Sequence, residues 1–318
     1  MVVRVFTTLF CLLVCHLVSA QTETNSPEIV HFRVAEKFLI IVPVWVGEAG
    51  PFDFLVDTGT NTTLIDPALA DELRLKPTDR VKMMTPAGSM AIPRARLGIL
   101  KVGPILMQQM EVLVQPLAAV QHIDRHIRGI LGSNFFDHFD YLMDYEHSEL
   151  VFDLDHSQSN ALRGERVALI SSGCPSQGGK SDFVEVEIQI SPFESKPLRL
   201  QLDSGIKSPA LYASLDQRTF VKDSRRTMQV TSNLGETTAE VLPVRQLKVG
   251  EQSFSDVPFA VIPNRQLASA TCADGLLPSW LLHSLFVSHS GKFIIVKPAA
   301  LTQKKEDASA AMVAADAP

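Results

Sequence analysis

The chain has 318 residues, and at about 150 residues per domain this length favours two domains. Hydrophobic residues make up 46% and charged residues 20% of it, which is typical of a globular protein and not of a disordered one. The formal net charge is −6 and no stretch concentrates Lys and Arg, so nucleic acid is not expected as a partner.

Residues 1–20 have the layout of a secretory signal peptide. Arg4 supplies a positive start, Phe6–Val18 is an apolar run, and residues 18–20 (VSA) form a small-residue cleavage site. The apolar run is shorter than the roughly 20 residues of a membrane span. We therefore predict export, to the periplasm or outside the cell, with a mature chain that begins at Gln21 and has no membrane association. A retained N-terminal anchor is the alternative.

The mature chain would keep two cysteines, Cys174 and Cys272. In an oxidising compartment they can form one disulfide, and two free thiols are the alternative. Neither cysteine has the CxxC spacing of a metal or redox site. His122 and His126 lie four residues apart, but no third ligand follows in a known pattern. The sequence therefore predicts no metal and no cofactor.

Two short segments each carry an acid, a hydroxyl and a glycine after an apolar run. The first is FLVDTGTNTTLID, with Asp57, and the second is LRLQLDSGIKSPALY, with Asp203, 146 positions later (203 − 57). A tight turn accounts for the glycine, which enters left-handed backbone conformations at little cost. It does not account for the acid, which is costly to bury unless it is hydrogen-bonded or used.

The offset between the two acids recurs along the chain. LKVG occurs at 100–103 and again at 247–250, an offset of 147, and GILGSNFF from Gly129 is matched by GLLPSWLL from Gly275, an offset of 146. Such ordered landmarks indicate a tandem duplication, with one lobe at 28–158 and a second at 163–298. Residues 299–318 are small, polar and Ala-rich, and we predict a disordered tail there.

Each lobe is predicted to be mainly β. FLIIVPVWV and DFVEVEIQI are rich in β-branched and aromatic residues. A short helix is predicted at DPALADELRL, where Asp66 can cap and Pro67 fits the first turn. TPAGSM (Thr85–Met90) and TSNLGE (Thr231–Glu236) fall at equivalent points between strands, and we predict a hairpin loop at each.

A pseudo-two-fold axis between the lobes can bring Asp57 and Asp203 face to face. Two carboxylates at hydrogen-bonding distance cannot both ionise easily, so they share one proton. The ionised member can then take a proton from a water molecule, while the protonated member polarises a carbonyl group. This arrangement would explain both acids without a metal, thiol or serine nucleophile.

The doubled pattern resembles the aspartic proteases of the pepsin and retropepsin type. Their signature is an apolar strand that ends in Asp-Thr/Ser-Gly, followed in each lobe by an apolar-apolar-Gly element. The second element is matched here by Ile130-Leu131-Gly132 and by Leu276-Leu277-Pro278. The compact lobes look closest to a two-lobed, duplicated bacterial retropepsin-like aspartyl protease. The resemblance implies two homologous six-stranded-type β-barrel lobes, with Asp57 and Asp203 as the catalytic dyad.

The resemblance also implies roles for residues around the dyad. Residues that would support the dyad and form its turns are Thr58, Gly59, Thr60, Ser204 and Gly205. Hairpin residues that would fold as flaps over an extended peptide or protein substrate are Thr85, Pro86, Ala87, Gly88, Thr231, Ser232, Asn233 and Gly235. The protein is expected to act as a monomer.

Two positions of the second lobe depart from this pattern. Ile206 stands where the first lobe has Thr60, and Pro278 stands where a glycine is expected. Proline fixes the backbone torsion and removes an N–H.

The signal-peptide layout and the resemblance together predict an exported aspartic endopeptidase. The alternative is a secreted, catalytically inactive peptide-binding or protein-binding module of the same fold.

Overall fold

The computed structural model describes residues 28–85, 88–173, 180–191, 194–212, 226–232, 235–262 and 273–300. The predicted signal peptide, Cys174, Cys272 and residues 301–318 lie outside these ranges. The described part of the chain is mainly β with a few short helices, as the sequence predicts. No helix in these ranges is long and apolar enough to cross a membrane.

The first lobe is built around a closed ring of six strands. Its strands are β1 (Glu28–His31), β2 (Arg33–Ala35), β3 (Leu39–Val46), β4 (Ala49–Val56), β5 (Thr63–Ile65), β6 (Asp79–Thr85), β7 (Gly88–Val102), β8 (Ile105–Val114), β9 (Ile127–Leu131), β10 (Tyr141–Asp144) and β11 (Glu149–Phe152). Its helices are α1 (Pro67–Glu72), α2 (Ala118–Ile123), α3 (Ser133–Phe136) and α4 (Ser157–Ala161). The ring runs β3-β4-β9-β5-β8-β7 and closes because β7 pairs back with β3.

The second lobe repeats this ring. Its strands are β12 (Leu162–Arg163), β13 (Arg166–Gly173), β14 (Lys180–Ser191), β15 (Glu194–Asp203), β16 (Ala210–Tyr212), β17 (Thr227–Ser232), β18 (Gly235–Val249), β19 (Gln252–Ile262), β20 (Gly275–Pro278), β21 (Ser284–Ser288), β22 (Phe293–Val296) and β23 (Ala299–Ala300), and a 3-10 helix covers Ser279–Leu282. The ring order is β14-β15-β20-β16-β19-β18, and β18 pairs back with β14. The same order in both lobes confirms the predicted fold class of two homologous lobes.

A six-stranded sheet joins the lobes. Its order is β1-β11-β10-β21-β22-β13, with three strands from each lobe. At its centre β10 pairs with β21 in antiparallel register, with Tyr141 opposite Val287. The order is symmetric about this central pair, as a pseudo-two-fold relation between the lobes requires. Strands β10 and β11 form a hairpin on one side of this pair, and β21 and β22 form the equivalent hairpin on the other.

Side-chain hydrogen bonds fix the start of helix α1, and strand pairing extends into the first residues of the predicted tail. The Asp66 carboxylate accepts a hydrogen bond from the Leu69 N–H at 2.8 Å, so it caps α1 as predicted. The cap itself is fixed because Arg128 Nε donates to its other oxygen at 2.7 Å. Ala299–Ala300, the first two residues of the predicted tail, form β23 and pair with β12.

The hydrophobic core packs around the strands that carry the two acids. The largest apolar cluster contains side chains of both lobes, among them the fully buried Phe54, Phe135 and Phe259. Burial of each such side chain contributes about 1.5–3 kcal/mol. Within this core β4 runs parallel to β9, and β15 runs parallel to β20. Both acids therefore lie at the carboxyl ends of buried strands.

Candidate active site

The structure brings Asp57 and Asp203 together between the lobes. Asp57 follows β4 directly, and its N–H donates to the Leu131 carbonyl of β9 at 3.0 Å. Asp203 is the last residue of β15, opposite Pro278 of β20. The two side chains are hydrogen-bonded to each other. Two acids that are 146 residues apart in sequence thus form one site.

The two glycines make this close approach possible. A Cβ added to Gly59 would lie 2.2 Å from Asp203 Oδ2, and one added to Gly205 would lie 2.6 Å from Asp57 Cγ. Each glycine therefore lies against the acid of the opposite lobe. A larger residue at either position would push the two carboxyl groups apart. Neither glycine has a positive φ, so the need for glycine here is steric and not the left-handed conformation expected from the sequence.

Thr58 and Ser204 tie the lobes together beneath the acids. The Thr58 N–H donates to Ser204 Oγ at 3.1 Å, and the Ser204 N–H donates to Thr58 Oγ1 at 3.2 Å. Each hydroxyl also donates to a carbonyl of the other lobe, at 3.1 Å to Leu202 and at 2.9 Å to Val56. Both side chains are buried, so these four hydrogen bonds are shielded from competing water.

The two acids differ in their environment. Asp57 is partly exposed and its Oδ1 accepts the N–H groups of Gly59 and Thr60, each at 3.1 Å. Asp203 is only 4% exposed and accepts the Gly205 N–H at 2.7 Å. Among the described contacts Asp57 thus has one more backbone donor, and such donors favour the ionised form of a carboxyl group.

Burial raises the pKa of both carboxyl groups, but not equally. The pKa of Asp57 is raised by burial and held back by the hydrogen bonds from Asp203, Thr60 and Gly59. The pKa of Asp203 is raised well above its ordinary value by burial and by the neighbouring charge of Asp57. The extra backbone donor on Asp57 and the deeper burial of Asp203 favour the ionised form at Asp57 and the protonated form at Asp203.

Thr60 supports Asp57 through its backbone. Its N–H binds the carboxylate, while its hydroxyl makes no hydrogen bond to the acid among the described contacts. The departure at Ile206 therefore removes no side-chain hydrogen bond that the first lobe makes. The lobes therefore differ at this position in one hydrogen bond, which the Thr60 N–H donates to Asp57.

Pro278 has a structural explanation in a second proline. In the first lobe Thr63 Oγ1 accepts the Gly132 N–H at 3.1 Å. The positions equivalent to this pair, 146 residues on, are Pro209 and Pro278, and both are buried. Donor and acceptor are thus lost together, and no buried polar group is left without a partner at this contact. Sequence reasoning noticed only Pro278, although the same offset identifies Pro209.

The predicted flap hairpins are present where the structure describes them. Thr85 pairs with Gly88 at the end of β6–β7, and Ser232 pairs with Gly235 at the end of β17–β18, next to Thr231. The tip residues Pro86, Ala87 and Asn233 lie outside the described residues.

Sequence reasoning gave Tyr145 no role near the acids. Its hydroxyl is buried and has no hydrogen-bond partner among the described residues. Burial, and after it the charge of Asp203, raise the pKa of Tyr145. Its ring meets Phe32 edge-on at 6.1 Å. No pattern in the sequence marks a tyrosine that comes near the site only through the sheet between the lobes.

The histidines considered as metal ligands do not share a helix face. Helix α2 ends at Ile123, and His126 follows it with its Nδ1 3.1 Å from Asp124 Oδ1. A different group, Asp140, Asp153 and His156, brings three potential ligand atoms within 4.8 Å of one another. The two carboxylates of that group already accept hydrogen bonds, Asp140 from Ser288 and Ser290, and Asp153 from two backbone N–H groups. This saturation fits a structural junction between the lobes.

Comparison with known proteins identifies the class of protein that this fold and site define. The family model for aspartyl proteases matches twice, over residues 42–135 and 184–279, which together make up more than half of the chain. The chain therefore belongs to the aspartyl protease family, with an internal duplication. Among solved structures it is similar to a retropepsin-like aspartic protease from Rickettsia conorii, at 16% identity over 40% of this chain and 90% of that one. The TM-score of that match is 0.29. A search of curated proteins returns no significant match.

Proposed function

We propose that this protein is an exported aspartic endopeptidase that hydrolyses peptide bonds with a water molecule activated by Asp57 and Asp203. The observation that carries the proposal is the hydrogen-bonded pair of carboxyl groups, with each glycine packed against the acid of the opposite lobe. Membership of the aspartyl protease family supports a hydrolase, and the difference between the two acids supplies the two roles that the reaction needs.

The reaction divides between the two acids. Ionised Asp57 takes a proton from the water, whose oxygen attacks the carbonyl carbon of the peptide. Asp203 donates its proton to the carbonyl oxygen, which gives a neutral tetrahedral intermediate. A proton then passes to the leaving nitrogen, the C–N bond breaks, and the shared proton returns to the dyad. The substrate is a peptide or protein segment in extended conformation, which the two hairpins can hydrogen-bond along its backbone.

Proteolysis by the full chain tests this proposal. We expect cleavage of a denatured protein from about pH 4 to pH 7, with loss at lower pH when Asp57 is protonated and at higher pH when Asp203 loses its proton. Asp57→Asn and Asp203→Asn should each abolish cleavage. Asp53→Asn is the matched control, because Asp53 lies on the same strand β4 but makes only an exposed ion pair with Arg33 at 2.8 Å among the described contacts.

Each outcome of that experiment has a distinct meaning. Loss in both dyad variants, with activity kept in Asp53→Asn, supports the dyad whether or not pepstatin inhibits the protein. Full activity of Asp203→Asn would refute a catalytic second lobe. Absence of cleavage by folded protein at every pH would favour the inactive peptide-binding module instead.

Export is a separate part of the proposal and has its own test. The basic start, apolar run and small-residue cleavage site of residues 1–20 support it. We expect the protein to be recovered from the periplasm or the medium of the cells that make it, with Gln21 as its first residue. A cytoplasmic protein that keeps Met1 would refute this part and leave the chemistry untouched.

A further inference from the structure

Two buried apolar clusters occupy equivalent positions in the two lobes. The first cluster consists of Leu39, Ile41, Leu55, Leu64, Ile92, Leu113, Leu117, Ile127 and Ile130. The second cluster consists of Ala210, Tyr212, Ala239, Ala260, Ile262 and Ala273. Strand registers establish which residues correspond. Leu64 lies opposite Leu113 and Ile130 in the first lobe. Ala210 lies opposite Ala260 and Leu276 in the second.

The two clusters differ in side-chain size at four matched positions. Leu64, Ile92, Leu113 and Ile127 of the first cluster are replaced in the second by Ala210, Ala239, Ala260 and Ala273. Each replacement removes three carbon atoms. Tyr212 and Met228 are larger than their counterparts Asp66 and Val81 and return part of this volume. The strand wall itself is nevertheless lined by methyl groups in the second lobe and by branched aliphatic chains in the first.

The first hairpin lies between the two clusters. Met83 of β6 packs against the first cluster, and the next residue, Met84, packs against the second. Successive residues of a strand point to opposite faces. The end of β6, one residue before the hairpin tip at Thr85, is therefore in contact with both lobes at once. The first hairpin thus connects the two clusters, with Met83 on the first and Met84 on the second.

We propose that the second cluster is the floor of a substrate subsite that takes a large apolar side chain, and that Met84 occupies this subsite in the free protein. The proposal rests on the proposed function and defines its substrate class. Methionine is unbranched and flexible, so it can fill the space over the alanines and move aside at small cost. The corresponding wall of the first lobe is filled by its own Leu and Ile side chains and accepts only a small residue.

The preferred substrate is therefore asymmetric. It carries Leu, Met or Phe at one fixed position relative to the cleaved bond, on the side that lies against the second lobe. It carries a small residue at the corresponding position on the other side. The alanine methyl groups and the Met84 side chain decide this preference, and the dyad does not.

Peptide-library profiling of wild-type protein and three variants tests the proposal. Ala260→Leu restores the residue type of Leu113 and should lower the kcat/KM ratio of large over small side chains at that position by about 10-fold or more, since single methylene groups in apolar pockets discriminate by about 10–200-fold. Met84→Ala should lower KM for the large side chain alone. Met83→Ala, on the opposite face of the same strand, is the matched control and should leave the ratio at that position unchanged.

A binding measurement separates this inference from the proposed function. The probes are two synthetic peptides that differ only in Phe or Ala at the selected position, titrated into the Asp57→Asn protein and into the same protein with Met84→Ala or Ala260→Leu. We expect about 10-fold tighter binding of the Phe peptide, a further gain with Met84→Ala and loss with Ala260→Leu. Selective binding without any cleavage by the wild type would refute the endopeptidase and keep the subsite. Cleavage or binding with no size preference, or a preference unaffected by either substitution, would refute the subsite.

Discussion

Replacing Thr58 with Val tests whether the buried hydroxyl pair holds the two lobes together. The Thr58 hydroxyl accepts the Ser204 N–H at 3.2 Å and donates to the Leu202 carbonyl at 3.1 Å. Valine keeps the branched shape and removes both hydrogen bonds. A buried N–H without a partner costs about 1–3 kcal/mol and a lost hydrogen bond to a carbonyl about 1 kcal/mol, so the free energy of unfolding should fall by roughly 2–4 kcal/mol.

Urea unfolding at neutral pH, followed by tryptophan fluorescence and circular dichroism, measures this loss. Thr60→Val is the matched control, because it removes a hydroxyl two residues away that makes no hydrogen bond among the described contacts. The control should change stability by less than about 0.5 kcal/mol. Equal effects of the two substitutions, or a loss below about 1 kcal/mol for Thr58→Val, would show that the cross-lobe hydrogen bonds do not stabilise the fold.

Three further outcomes follow from the geometry of the site. Gly59→Ala should abolish proteolysis while the lobes stay folded by circular dichroism, because its Cβ would lie 2.2 Å from Asp203 Oδ2; wild-type kcat would contradict the packing. Because the pKa of Asp203 is raised in the folded state, its contribution to stability is lost as the pH rises through that pKa. Asp203→Asn should therefore unfold at higher urea than wild type at pH 7, by on the order of 1 kcal/mol, but not at pH 4; no difference between the two pH values would contradict the shift. Tyr145→Phe removes a buried hydroxyl that has no partner among the described residues and should raise stability by about 1 kcal/mol, whereas a loss of that size would reveal a missed hydrogen bond.

The repeated offset let the sequence predict most of the site. Each Asp-x-Gly turn and each hairpin leaves a local pattern in the sequence, and the duplication repeats that pattern in both lobes. The fold class, the duplication and the positions of both hairpins could therefore be predicted. Contacts between the lobes were predictable only to the extent that two equivalent points must meet on a pseudo-two-fold axis.

Other features depend on neighbours that are distant in the sequence. The meaning of Pro278 depends on Pro209, which lies 69 residues away in the sequence and directly precedes β16, a strand that pairs with β20. Whether Asp57 or Asp203 keeps the proton depends on how many backbone N–H groups donate to each carboxylate. Residue types alone do not specify that number. Both features depend on contacts that form only in the folded chain, so the order of residue types alone does not predict them.

Because the two lobes are fused in one chain, their sequences can differ, and the two acids can have different environments. In a symmetric dimer both acids would have the same environment, and neither could be assigned the proton in advance. Here the N–H of Thr60 binds only the first acid, and the deeper burial of Asp203 raises its pKa further. These two differences favour the proton on the acid of the second lobe. The alanine-lined cluster lies in that same second lobe, so the acid that favours the proton and the proposed large subsite belong to one lobe. A substrate would then bind in one direction, with its carbonyl oxygen presented to the acid that can donate.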